Sequence, residues 1–204
     1  MGAIYKPVIC RVFMVMLNCR VLKLEDLLEL AGSYESDLST PTQSFSLPCS
    51  EIVIGDESSL MGVVNLSPDS WYRESVCLNT EDAISRGKML AAQGASIVDV
   101  GGESTLHEAE RVDAVGQSAR LLPVITRLKA AGVAVSAETY NPEVAKQSLE
   151  AGASIINLTG AGEAEAIYES VATNESAVII CFVQGENARE VADLKLDDEP
   201  VPML

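Results

Sequence analysis

At 204 residues, with 48% apolar and 22% charged side chains, the chain has the composition of a folded protein with room for one ordinary domain. Lys and Arg number 14 against 30 Asp and Glu, a net charge of −16 that repels nucleic acid and anionic membrane surfaces alike. An anionic substrate would need local help from backbone N–H groups, a divalent metal or the few arginines.

The apolar run over residues 8–22 is broken by Arg11, Asn18 and Arg20 and is too short to span a bilayer. Its unbroken part, residues 12–17, is shorter than a signal-peptide core, and Lys6 stands where myristoylation at Gly2 requires a hydroxyl. We read it as an extension with a strand, followed by a helix over 24–30. Residues 32–50, rich in Ser, Thr, Pro and Gly, read as a linker, with the boundary near Pro48. This divides the chain into an extension and linker, 1–48, and a main domain, 49–204.

Apolar strands centred near Val63, Val98, Val135, Ile156 and Ile180 then alternate with helical stretches, the pattern of a parallel α/β fold. Thr80-Glu81-Asp82 opens the first of these helices as its N-cap and acidic first turn. Gly94, Gly132 and Gly152 each close a helix just before the next strand. A last helix is expected over 187–194, with Arg189 and Lys195 on a solvated face. The segments 94–99 and 152–157 are close copies, each ending a strand on a polar residue, Asp99 or Asn157, and in a barrel such ends face one mouth. A whole eight-stranded barrel takes about 250 residues. The expectation is therefore an α/β fold of the parallel (β/α) TIM-barrel type, incomplete, with about five of eight βα units.

Cys10, Cys19, Cys49, Cys77 and Cys181 form no CxxC pair and are odd in number, which suits reduced thiols in a cytoplasmic protein. The single histidine, His107, excludes a multi-histidine metal site within the chain.

Two strand ends carry the chemistry. Leu60-Met61-Gly62-Val63-Val64-Asn65-Leu66-Ser67-Pro68-Asp69-Ser70 passes from an apolar strand into an abrupt polar loop, and Ser96-Ile97-Val98-Asp99-Val100-Gly101-Gly102-Glu103-Ser104-Thr105 does the same one βα unit later. The pair resembles the two signature motifs of dihydropteroate synthase and the wider pterin-binding barrel family. Further matches follow at Val135-Ser136-Ala137-Glu138-Thr139-Tyr140, Ala153-Ser154-Ile155-Ile156-Asn157 and Val183-Gln184-Gly185, so the resemblance covers roughly residues 50–190.

The resemblance implies a transferase that condenses a hydroxymethyl-dihydropterin pyrophosphate with p-aminobenzoate, with Mg²⁺ on the leaving pyrophosphate. It assigns Asn65 to the metal, Thr105 to the pyrophosphate, Glu138 and Asn157 to the pterin, Asp69 and Ser70 to the first loop, Asp99 to the mouth as a catalytic carboxylate, and Gln184 to the fifth strand end. The residues themselves admit plainer roles: a turn-stabilising amide at Asn65, a surface carboxylate at Glu138 and an exposed loop histidine at His107.

Glu138 replaces the family's aspartate, while Leu106 and His107 replace its arginine and proline. The family's later aspartate, lysine and arginine–histidine groups match nothing after Gly185. A non-catalytic pterin-binding or assembly subunit, and an inactive fragment, are the alternative readings; the related barrels of corrinoid methyltransferases are a remoter one. Neither nucleic acid nor membrane is an expected partner, and the short barrel leaves room for a homodimer or a completing partner chain.

Overall fold

The structure, a computed structural model, describes residues 23–38, 45–47, 53–54, 59–181 and 185–190. By its contacts the chain divides into two units, Met1–Gln43 and Ser44–Leu204. The expected strand within residues 8–22, Gln184 and Lys195 lie outside the described residues.

In the first unit, helix α1 (Leu24–Ser33) is followed by the four-residue helix α2 (Glu35–Leu38). The Asp26 carboxylate accepts from the Lys23 backbone N–H at 2.7 Å, the reach-back half of a capping box, which starts α1. The helix outruns the expected 24–30, and α2 occupies part of the stretch read as linker. Leucines at 24, 27, 28 and 30 are all exposed.

In the second unit, β1 (Phe45–Ser46) and β2 (Val53–Ile54) pair antiparallel. Five βα-linked strands follow: β3 (Leu60–Asn65), β4 (Ala95–Gly101), β5 (Val135–Glu138), β6 (Ile155–Leu158) and β7 (Ala177–Ile180). They form one parallel sheet in the order β3-β4-β5-β6-β7, separated by α3 (Thr80–Ala92), α4 (Ala114–Ala130), α5 (Pro142–Ala151) and α6 (Ala164–Thr173). Among the described residues this is the expected α/β architecture, an incomplete barrel of five strands.

Strand side chains alternate between faces. Val64, Val98, Val100, Val135, Ala137, Ile156 and Leu158 pack with Leu121, Val124, Ile125 and Leu128 of α4 and with Val144 and Leu149 of α5 in the main core. On the other parity, Ile97 and Ile155 cluster with Leu47, which is 2% exposed, and with Ala177 and Ile179. That second cluster lies toward the strand N-termini and leaves the opposite ends to polar groups.

The helix boundaries follow local chemistry. Gly94, Gly132 and Gly152 take φ of 103°, 77° and 109°, the left-handed turn expected of them. The cap of α3 is Asn79 rather than Thr80, because the Asn79 amide oxygen accepts from the Asp82 N–H at 2.9 Å. The last expected helix does not begin at 187. Residues Asn187–Glu190 turn back across β6: Asn187 bridges Gly160, the Ala188 N–H donates to the Thr159 carbonyl at 2.7 Å, and Glu190 N–H closes on the Asn187 carbonyl at 3.0 Å.

Candidate functional site at the carboxyl ends of the strands

The strand register draws three polar residues and a glycine into one row. Asn65 is opposite Gly101, Gly101 opposite Glu138, and Glu138 opposite Asn157. All sit at or next to the carboxyl end of a strand, where parallel α/β folds place their chemistry. Gly101 is what lets the row close up. A β-carbon there would stand 2.9 Å from Glu138 Oε2 and 3.0 Å from Asn65 Oδ1.

Two positions earlier on β4 is Asp99, 5% exposed, whose Oδ2 accepts from the Asn157 amide at 3.2 Å. Asp99 Oδ1 and Ser136 Oγ are buried with no hydrogen-bond partner among the described residues. Glu138 accepts from the Thr159 hydroxyl at 2.7 Å, and the Cys181 thiol lies 3.3 Å from Asn157 Oδ1.

Desolvation governs the ionisation of this group. It pushes the Glu138 carboxyl up to about 8, with the neighbouring Asp99 charge adding to it and the Thr159 hydroxyl opposing. It pushes Asp99 up to about 6, against the pull of Ser136 and Asn157. The Cys181 thiol is also raised, by burial first and then by Glu138 and Asp99. A group that accepts a proton readily at neutral pH, next to an amide that both donates and accepts, suits a flat ligand edge carrying N–H and N: positions.

Asn65 also performs the plainer role. Its side-chain amide donates to Ser75 Oγ at 2.6 Å, and its backbone carbonyl accepts from the Cys77 N–H at 2.8 Å, tying the strand end to the 3₁₀ turn Arg73–Ser75. Asp69 and Ser70 lie on the loop between, which forms one wall of a cleft of about 490 Å³ lined also by Trp71, Arg73, Leu106, Glu108 and Ala109. Thr105 is exposed on the second loop, and so is His107. The two loops meet where the Ser104 hydroxyl donates to the Asp69 carbonyl at 3.0 Å.

Arg189 is not on a solvated face. It is 3% exposed, and its guanidinium donates to Glu103 Oε1 at 2.8 Å and to the backbone carbonyls of His107, Ala109 and Glu110. The His107 ring, Nδ1 toward the Arg189 carbonyl at 2.9 Å, adds to the junction. Glu103 also accepts from the Val112 N–H at 3.0 Å and the Tyr140 hydroxyl at 2.8 Å. The desolvated Tyr140 phenol, bonded to that carboxylate, is pushed up to about 12.

The row thus unites Asn65, Glu138 and Asn157 with Asp99, while Asp69, Ser70 and Thr105 lie on the loops above. Sequence reasoning missed Thr159, Ser136 and Cys181. The first two stand two residues from Asn157 and Glu138, so the period of an extended strand would have flagged them; Cys181 carried no such signal. Residues 61–201 match the model of the family described as pterin binding enzymes.

Dihydropteroate synthase from Bacillus subtilis is 34% identical over 140 residues, 68% of this chain and 49% of that one. The structure of the Xanthomonas albilineans synthase with 4-aminobenzoic acid is 33% identical with a TM-score of 0.60, over 70% of this chain and 53% of that. The Burkholderia cenocepacia synthase complexed with 7,8-dihydropteroate is 27% identical with a TM-score of 0.61, over 78% and 52%. The chain spans about half the length of these relatives, and within that half the strand-end row coincides with the matched region: it belongs to the pterin-binding enzyme family.

Proposed function

We propose that the chain is a cytoplasmic dihydropteroate-synthase-type transferase of folate biosynthesis, joining 6-hydroxymethyl-7,8-dihydropterin pyrophosphate to p-aminobenzoate. The row of Asn65, Gly101, Glu138 and Asn157 carries this reading. An ionised Glu138 accepts paired hydrogen bonds from the pterin 2-amino group and ring N–H. Asn157, its amide N–H₂ donating to Asp99 and its oxygen accepting from the Cys181 thiol, would offer the second lone pair of that oxygen to the ring edge. By the family resemblance, Gln184 would contribute to binding the same ligand.

The carbon–oxygen bond to pyrophosphate breaks and the aromatic amine forms the new carbon–nitrogen bond, releasing a proton that Asp69 would take. Asp99 organises the mouth. Thr105 and Ser70 donate to the leaving group and the incoming substrate from the two loops.

Among the described residues no group of three His, Cys, Asp or Glu side chains could hold a metal ion. The donor set is a single hard amide oxygen at Asn65, which fits a Mg²⁺ that draws the rest of its shell from phosphate and water. When bound, that ion neutralises charge on the pyrophosphate.

A binding subunit without turnover is the second reading. The cleft lining favours it, since Arg73 stands there against Asp69 and Glu108, an acidic surround for a substrate with a carboxylate. Product formation by the 204-residue chain with both substrates and Mg²⁺ separates the two. Turnover lost in Asn65→Ala supports the synthase. Saturable pterin binding, weakened by Asn157→Ala and unaccompanied by product, supports the binding subunit.

A further inference from the structure

We propose that Arg189 is a positioning residue for the wall of the cleft between the two loops, governing how that cleft takes its ligand without touching it. The proposal rests on the transferase reading above and takes the cleft between the two loops as the entry of the aromatic amine.

Leu106, Glu108 and Ala109 supply one side of the cleft. The backbone that carries them curls around a single guanidinium. Arg189 Nη2 donates to the carbonyls of His107, at 3.5 Å, and Ala109, while Nη1 donates to the Glu110 carbonyl at 3.4 Å and to Glu103 at 2.8 Å. Glu103 is 8% exposed and fixes the far end of the same loop through the Val112 N–H. Ser104 passes the position on to the opposite wall through the Asp69 carbonyl.

A planar fork with five donors can serve one carboxylate and three carbonyls at once; an ammonium on a flexible stem cannot hold that pattern. The rest of the strand-end row is linked by other bonds, Asn157 to Asp99 and Thr159 to Glu138, in which Arg189 has no share. The hydrogen bonds therefore couple Arg189 to the cleft, and the pterin-facing groups feel that pair only through the Glu103 charge, the smallest of the causes that raise Glu138.

The test uses the full chain and the variant Arg189→Lys, which keeps the buried charge opposite Glu103 but loses the fork. Removing one partner of a buried pair is strongly destabilising. A neutral double replacement, Glu103→Gln with Arg189→Gln, therefore serves as the second variant. Hydrogen exchange at the Leu106, Ala109 and Val112 amides reads the loop directly. Titrations with dihydropterin pyrophosphate and with p-aminobenzoate, both with Mg²⁺, read the two halves of the site.

We expect exchange at those amides to rise at least about tenfold with the β4 and β5 amides unchanged. Affinity for p-aminobenzoate should fall about tenfold while that for the pterin stays within about twofold. Unaltered exchange in the loop overturns the proposal, as does a parallel loss of both affinities, the mark of a general structural role. Wild-type protein that binds neither compound sinks the functional reading instead, and loop exchange then decides the positioning of the wall by itself.

Discussion

Glu138 and Asp99 stand on neighbouring strands, Glu138 accepting from Thr159 and Asp99 from Asn157. Two carboxylates with so few donors and so little water favour protonation, and both are raised, to about 8 and about 6. A raised carboxyl stabilises the fold when protonated. Its contribution is complete below the unfolded values, 4.5 for Glu138 and 3.8 for Asp99, and is lost as pH rises through the folded ones. The free protein should gain stability from these two groups between pH 8 and pH 5.

Glu138→Gln should melt higher than wild type at pH 8.5 and show a flatter profile above pH 6; identical slopes in thermal melts would remove Glu138 as the cause. On the proposed function, ligand binding should run the other way, because the carboxyl would accept both pterin N–H groups only when ionised. Pterin affinity should weaken as pH falls from 8 to 6 in wild type and lose most of that dependence in the glutamine variant, as fluorescence titration can show.

At the scale of elements, each βα unit delivers one or two polar residues and a helix cap. Asn141 caps α5 by accepting from the Glu143 and Val144 N–H groups at 3.0 and 3.2 Å. Asn141→Ala should cost about 1 kcal/mol in urea unfolding without altering pterin affinity. Gly101→Ala should do the reverse. Its methyl would press on the flexible ends of Glu138 and Asn65 rather than on backbone, so the fold is kept while pterin affinity falls by about tenfold or more.

The elements were legible where hydrophobic period and glycine punctuation agree, as at β4 with Gly94 and β6 with Gly152. The site was legible where family-like residues end those strands. Asn79 was missed because Thr80 is itself a good cap and the choice turns on one backbone angle. Arg189 was misread because helical spacing in residues 187–194 says nothing of a carboxylate 86 positions earlier.

Across the molecule, the two faces of the sheet have separate duties. The helix side supplies most of the core, while the small cluster of Leu47, Ile97 and Ile155 fills the other face below the polar row. Leu47→Ala should cost about 2–5 kcal/mol in chemical denaturation, more than any exposed leucine of α1, since it empties a site that is 2% exposed. The net charge of −16 acts over longer range. Association of an anionic pterin pyrophosphate should quicken as salt screens that repulsion, a dependence measurable by stopped flow and opposite to that of a basic binding protein. Among the described residues, no helix is long and apolar enough to cross a membrane.

The bond between Arg189 and Glu103 also orders events in time. Chains fold from the N-terminal end as they emerge during synthesis, so β3 to β6 can pair and bury their valines and isoleucines before residue 189 is available. Until then the Glu103 carboxylate lacks the Arg189 counter-charge, and the carbonyls of His107, Ala109 and Glu110 lack their common donor. The sheet can therefore form before the cleft does, and the wall of the cleft is fixed only when Asn187–Glu190 folds back onto it.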